Sequence, residues 1–268
     1  MVIHELRKWH KTITSSMSRY MAFKGDFFLM LVAPSLVFIA INYNVWRAIY
    51  QTQGDRSIGG FSMDQMLHYQ CWSFIVALLV RSHRAWNLSE HIRLGRITSF
   101  LLYPFDAWKF YSCEFIAFQI IQVMITSASI VALQLLGFLP PLDLLTVLYG
   151  VVFSLLVSVL WFVVEFTFGL AGFWLEEVWV FRVVFNFFAV LFSGAFIPIE
   201  LFPASLQNVL RYTPFPFITS VPVHIFMGTS TVSLLGATAT LFAWIIALGI
   251  GSWFVWRRGL RLYTAAGM

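Results

Sequence analysis

The sequence predicts an all-α, polytopic membrane fold with six transmembrane helices, and three observations carry that prediction. Of the 268 residues, 60% are hydrophobic, 18% aromatic and 11% charged, with a mean hydropathy of +0.81. Soluble domains carry about 25% charged residues and at most about half apolar ones. The 17 Lys/Arg and 12 Asp/Glu cannot coat a soluble body of this size, which excludes a soluble enzyme, a disordered chain and a disulfide scaffold. The apolar residues fall in long uncharged stretches, and the basic residues fall between alternate stretches. A helical crossing needs about 20 mostly apolar residues to span roughly 30 Å of hydrocarbon.

Residues 1–24 place Ile3, Leu6, Ile13, Met17 and Tyr20 at helical spacing, with Lys and Arg on the other sides. That pattern predicts an interfacial helix along the inner leaflet with its apolar side in the acyl boundary. The segment lacks the apolar core of a cleavable signal peptide. The spans are expected at 27–47, 65–82, 110–137, 144–172, 178–197 and 232–256. The second is the weakest, with His68 and Gln70 inside it. The sixth is placed late in its uncharged run because Pro214, Pro216, Pro222 and Gly228 break the first half.

Between spans two and three, residues 85–104 predict a cytoplasmic loop with a short helix. Asn87 and Glu90 have the spacing of a capping box, the helix covers 88–94, and Gly95 stops it. Pro104 ends a second short apolar turn before span three. Between spans five and six, residues 198–228 carry Pro198, Pro203, Pro214, Pro216 and Pro222. The segment is apolar enough for lipid but too broken to cross it, so two short helices, 204–212 and about 218–226, are expected to dip in and return. Backbone of this kind is tolerated at membrane depth only when buried in protein or lining a wet cavity. The segment is therefore read as part of a pathway or its outer lid, with a structural cap on the bundle as the alternative.

Lys and Arg set the orientation. With the N-terminus inside, the inner segments hold 14 of the 17 basic residues, and the outer ones only Arg47, Arg56 and Arg211. Both termini are thus expected in the cytoplasm. The same rule accounts for the net charge of +5 without nucleic acid. Cys71 and Cys113 fall near opposite ends of their spans and are expected not to pair. Intramembrane charge is costly and usually functional or paired. Glu114 and Arg182 fall at similar depth to Glu165 of span four and are expected to form an ion pair with it or with each other, and Glu165 and Glu200 are also candidate pathway groups. The Phe-rich run of span five, with Phe185, Asn186, Phe188 and Phe192, is a candidate conduit lining, Asn186 doubling as interhelical glue. Trp46, Trp72, Trp108, Trp179 and Trp256 suit an aromatic belt. His4, His10, His68, His83, His91 and His224 assemble no catalytic or metal constellation by spacing, which disfavours a membrane-embedded acyl or prenyl transferase. A secondary transporter would show an inverted repeat and mid-membrane ionisable groups, and neither is evident.

Together these parts resemble a type-2 ABC exporter permease, most similar to a poorly characterised bacterial branch. The basic amphipathic N-terminal helix stands where that family has its connecting helix. NLSEHIRLGRITSFLLYP resembles the coupling-helix loop, in which an acid, an apolar residue, a basic residue and a Gly precede Leu-Leu-x-Pro, and residues 194–228 resemble its re-entrant outer helices. The resemblance implies a pathway between two permeases, as homodimer or heterodimer, in the bacterial inner membrane. It implies a separate ATPase subunit in two copies, carrying ATP and Mg, since this chain has no G-x-x-x-x-G-K-[ST] loop and no cofactor of its own is expected. It assigns Asn87, Glu90, Ile92, Arg93, Gly95 and Arg96 to ATPase coupling. The short first outer loop, 47–64, departs from relatives with large ectodomains. The apolar and aromatic character of the chain favours an amphiphilic, lipid-like or drug-like cargo.

Overall fold

The computed structural model describes residues 2–22, 24–52, 54, 57–81, 85, 87–102, 105–140, 143–230 and 233–263; Arg56, His83, Arg84 and Pro104 lie outside them. The helices are α1 (Val2–Met21), α2 (Lys24–Thr52), α3 (Met63–Val80), α4 (Leu88–Arg93), α5 (Thr98–Leu102), α6 (Ala107–Leu135) and α7 (Leu144–Leu170). They continue with α8 (Trp179–Phe192), α9 (Ala204–Leu210), α10 (Phe215–Ile218), α11 (Ser220–Phe226) and α12 (Leu234–Leu262), and 3-10 turns occupy Ala171–Phe173 and Ile199–Leu201. The described residues are all-helical; one isolated bridge joins Ile58 and Phe61. Among the described residues, three helical stretches, Ala107–Leu135, Leu144–Phe173 and Leu234–Leu262, are long and apolar enough to cross a membrane.

The near end of the bundle, holding α4, α5 and the C-terminal end of α12, has its own core of Leu88, Ile92, Ile97, Tyr111, Phe166 and Phe173. The main core runs from there to the far end, where α9 to α11 lie. It is built on Trp72, Ile75, Val76, Val157, Trp161 and Val223. Trp72 stacks on Phe226 with ring centroids 4.4 Å apart and planes 5° from parallel. Gly150 makes room for the Phe226 ring, which a Cβ at that position would overlap.

Helix α3, the weakest span by composition, is largely buried in the bundle. Its start is fixed by a capping box that hydropathy does not reveal: Ser62 Oγ accepts from Gln65 N at 3.3 Å, and Gln65 Oε1 accepts from Ser62 N at 2.9 Å. Its last carbonyls, left without helical partners, receive side chains of α6. Gln119 Nε2 donates to Leu79 O at 2.8 Å, and Gln122 Nε2 donates to Leu78 O at 2.6 Å and Arg81 O at 3.1 Å. The polar residues that depress its hydropathy hold the chain just beyond α8. Tyr69 Oη donates to Gly194 O at 2.8 Å, Ser73 Oγ to Ala195 O at 3.1 Å and Gln70 Nε2 to Phe196 O at 3.2 Å.

Several expectations are corrected. Helix α8 has 14 residues, a rise of about 21 Å, and not the full 178–197. Gly194 stops it with φ +87°, a left-handed backbone that favours glycine. Helix α1 lies on α6 instead of presenting its whole apolar stripe to lipid. Arg19 pairs with Glu114 at 2.8 Å and Lys109 with Glu5 at 3.6 Å, while Tyr20 meets Phe118 edge-on; Leu6 remains exposed. Trp46 and Trp72 are core residues and not belt residues, whereas Trp108 and Trp179 are exposed. As expected, Cys71 and Cys113 are buried and free. In the far-end segment the first expected helix is found as α9, and the second is divided into α10 and α11 at Thr219.

Candidate functional site: the near-end loop and the aromatic flank

The loop carrying α4 is seated on glycines. A Cβ at Gly169 would lie 2.8 Å from Leu88 Cβ, and one at Gly172 would lie 2.8 Å from Ser89 Cα and 2.9 Å from Ser89 O. The absence of side chains there lets α4 rest directly on the end of α7. Leu88 and Ile92 are the buried residues of α4, so Ile92 anchors the helix in the protein and is not available to a partner, a correction to its expected role. Asn87, Glu90, Arg93 and Arg96 are exposed, as is Leu94. Asn87 makes no capping hydrogen bond, because its backbone (φ −77°, ψ −4°) is already helical and the extended geometry of an N-cap is missing. Gly95 adopts φ +70° and stops the helix as expected.

Further clamps fix this loop to the bundle. Tyr263 Oη donates to Gly95 O at 2.9 Å and lies 2.9 Å from Thr98 Oγ1, tying the end of α12 to the turn after α4. Arg182 Nη2 donates to Ala85 O at 3.4 Å. Arg93 and Glu177 face each other at 3.7 Å; both are exposed, so the pair contributes about 0–1 kcal/mol.

His91 Nδ1 lies 2.6 Å from Tyr111 Oη. Burial, then the Arg96 charge, pushes the His91 pKa below its ordinary 6.5, with Glu90 opposing. Protonation therefore favours the unfolded chain: the stability contribution is whole above pH 6.5 and is lost as pH falls through the lower folded-state value. Thermal unfolding across a pH series is expected to show declining stability on the acid side of 6.5, and a His91→Gln variant a flatter decline.

The ion pair expected at the inner layer is present. Arg182 Nε and Glu165 Oε2 are 3.9 Å apart, and both side chains are 1% exposed. Glu165 thus faces the interior of the chain and not an outer face. Glu200 is at the far end, where its Oε1 accepts from His224 Nε2 at 2.8 Å. The two line a cavity of about 690 Å³ together with Gln65, Gln207 and Arg211. This pocket, a mix of polar and apolar side chains, is legible only after folding, since its residues come from three separated segments.

On α8, Arg182 and Ala189 are the buried residues. Phe187 and Phe188 are exposed, while Phe185 and Phe192 are half-buried, each ring within about 6 Å of Phe215. Phe188 stacks on Phe192 at 5.8 Å. Asn186 Nδ2 donates to Arg182 O of its own helix at 2.9 Å, so it is not bridging helices through that group. The result is an apolar helix that offers an aromatic flank to its surroundings.

A family model described as ABC-2 family transporter protein matches residues 36–267. The chain belongs to the ABC-2 transporter family. The comparison with curated proteins finds no match. As an ABC-2 transporter protein the chain is the membrane permease component of an ABC transporter. Such permeases are integral membrane subunits that generally lack an ATPase site and typically pair with an ATPase subunit. In this permease the glycine seat under α4 and the Tyr263 clamp have no clear signature in the sequence. Gly169 and Gly172 are visible as small residues following Glu165, a signal of close approach with no indication of what approaches.

Proposed function

We propose that this permease forms, with a second permease, the pathway of an ATP-driven exporter for an amphiphilic, lipid-like or drug-like cargo in a bacterial inner membrane. The observation that carries the reading is α4. It is locked to α7, α8 and α12 through the glycine seat, Ala85 and Tyr263, yet presents Glu90, Arg93 and Arg96 outward. A helix bound to several others and exposed on one polar edge suits a transmitter of force from a separate ATPase subunit, which would hold ATP and Mg. In this reading α2, α3, α6, α7, α8 and α12 are the six spans, both termini are cytoplasmic, and residues 198–228 re-enter from the outer side. The burial of Pro222, Val223, Ile225 and Phe226 inside the bundle supports that re-entry. The exposed flank of α8 is where the second permease and the pathway would lie, with Phe185, Phe188 and Phe192 as lining and Glu200 at the outer vestibule.

Glu90→Lys and Arg93→Glu are expected to leave the fold intact, since both side chains are exposed. With the partner ATPase reconstituted in vesicles, hydrolysis should persist while cargo movement falls at least tenfold. Fully coupled transport by the double charge reversal would sink the assignment of α4.

A further inference from the structure

A cavity of about 670 Å³ opens between α7, α8 and α12, lined among others by Val164, Phe168, Phe185, Leu248 and Phe254, with Arg258 at its near end. Pro214 of the far-end segment also lines it. Besides Arg258 its polar side chains are Trp174 and Thr167, and Thr167 already donates to Val163 O at 2.7 Å. From Leu248 to Arg258 the rise along α12 is about 15 Å, half of the roughly 30 Å hydrocarbon thickness. The lined stretch of α12 is therefore about one leaflet deep, and in the orientation proposed above Arg258 lies at the level of the headgroups. Arg257 is stacked over Trp253 at 3.9 Å, which leaves Arg258 as the guanidinium at the mouth.

We propose that this groove binds an anionic phospholipid of the inner leaflet. One acyl chain lies along Val164, Phe168, Phe185 and Leu248, and the phosphate meets Arg258. A mainly apolar channel offers little to a polar solute, and the Arg258 guanidinium at its headgroup end selects for negative charge. The proposal rests on the membrane orientation given above and not on the ATPase partner.

The test is native mass spectrometry of the purified chain taken from micelles doped with phosphatidylglycerol or phosphatidylcholine. Retention of one phosphatidylglycerol per chain is expected, in preference to phosphatidylcholine, with no displacement by inorganic phosphate. Arg258→Gln should reduce that preference about fivefold. Leu248→Trp, shown folded by thermal unfolding, should abolish retention of both lipids by filling the groove; Phe254→Trp serves if it does not fold. Equal retention of the two lipids by the natural chain overturns the proposal, as does unchanged retention in both variants. Loss of dimerisation in the groove-filling variant with lipid retention unchanged also overturns it, since the groove is then a seam between copies. Partner-stimulated ATP hydrolysis, measured separately, reports on the proposed function alone.

Discussion

Arg182→Ala is expected to destabilise the permease by about 3–5 kcal/mol, the usual result of stripping one member from a buried ion pair. Arg182 and Glu165 are each 1% exposed, so removing the guanidinium leaves a carboxylate without its counter-charge in a low-dielectric interior. Arg182→Met combined with Glu165→Leu removes both charges and is expected to restore most of the lost stability, because apolar replacements of buried pairs are often neutral. Transport should not return with it. The double variant still lacks the hydrogen bond from Arg182 to Ala85 O, so α8 loses its attachment to the near-end loop. Chemical unfolding in detergent and partner-driven transport separate the two effects. A double variant as unstable as the single one would mean that an uncompensated charge is not the cause.

Gly172→Val carries the second large effect. The new Cβ would meet Ser89 Cα and O at 2.8 and 2.9 Å, backbone atoms that cannot rotate aside, so α4 must lift from α7. Overpacking of this kind costs about 1–3 kcal/mol, and displacement of α4 is expected to uncouple hydrolysis from transport. Gly169→Ala should be milder, since the atoms it meets belong to the Leu88 side chain. Thermal unfolding and coupled-transport ratios of the two variants provide the check, and equal, unimpaired behaviour would show that the seat is not tight.

Much of the architecture was legible because apolar length is a local property. The stretches that became α6, α7 and α12 announce themselves in the hydropathy of their own residues. What was not legible depends on partners distant in the chain. Tyr69, Gln70 and Ser73 look like defects in a span until the carbonyls of residues 194–196 are placed against them. The length of α8 was overestimated because Gly194 reads as a tolerated small residue and not as a left-handed stop. Asn87 carries the right side chain for a cap, but its backbone turns helical one residue early. The inner-layer charges were found by type, whereas the choice of Glu165 for Arg182 and Arg19 for Glu114 needed the packing of α1 and α8.

The attachments of α8 have a mechanical consequence. One end is tied through Arg182 to Ala85. At the other, Ser193 O accepts from Ser220 N at 2.9 Å, and the three carbonyls that follow are gripped by α3. With its sides largely unpacked and its ends pinned, α8 is a strut, loaded along its axis and not across it. A push on the loop beside Ala85 is expected to pass from Arg182 along about 16 Å of helix to Ser193, and from there to α3 and α11.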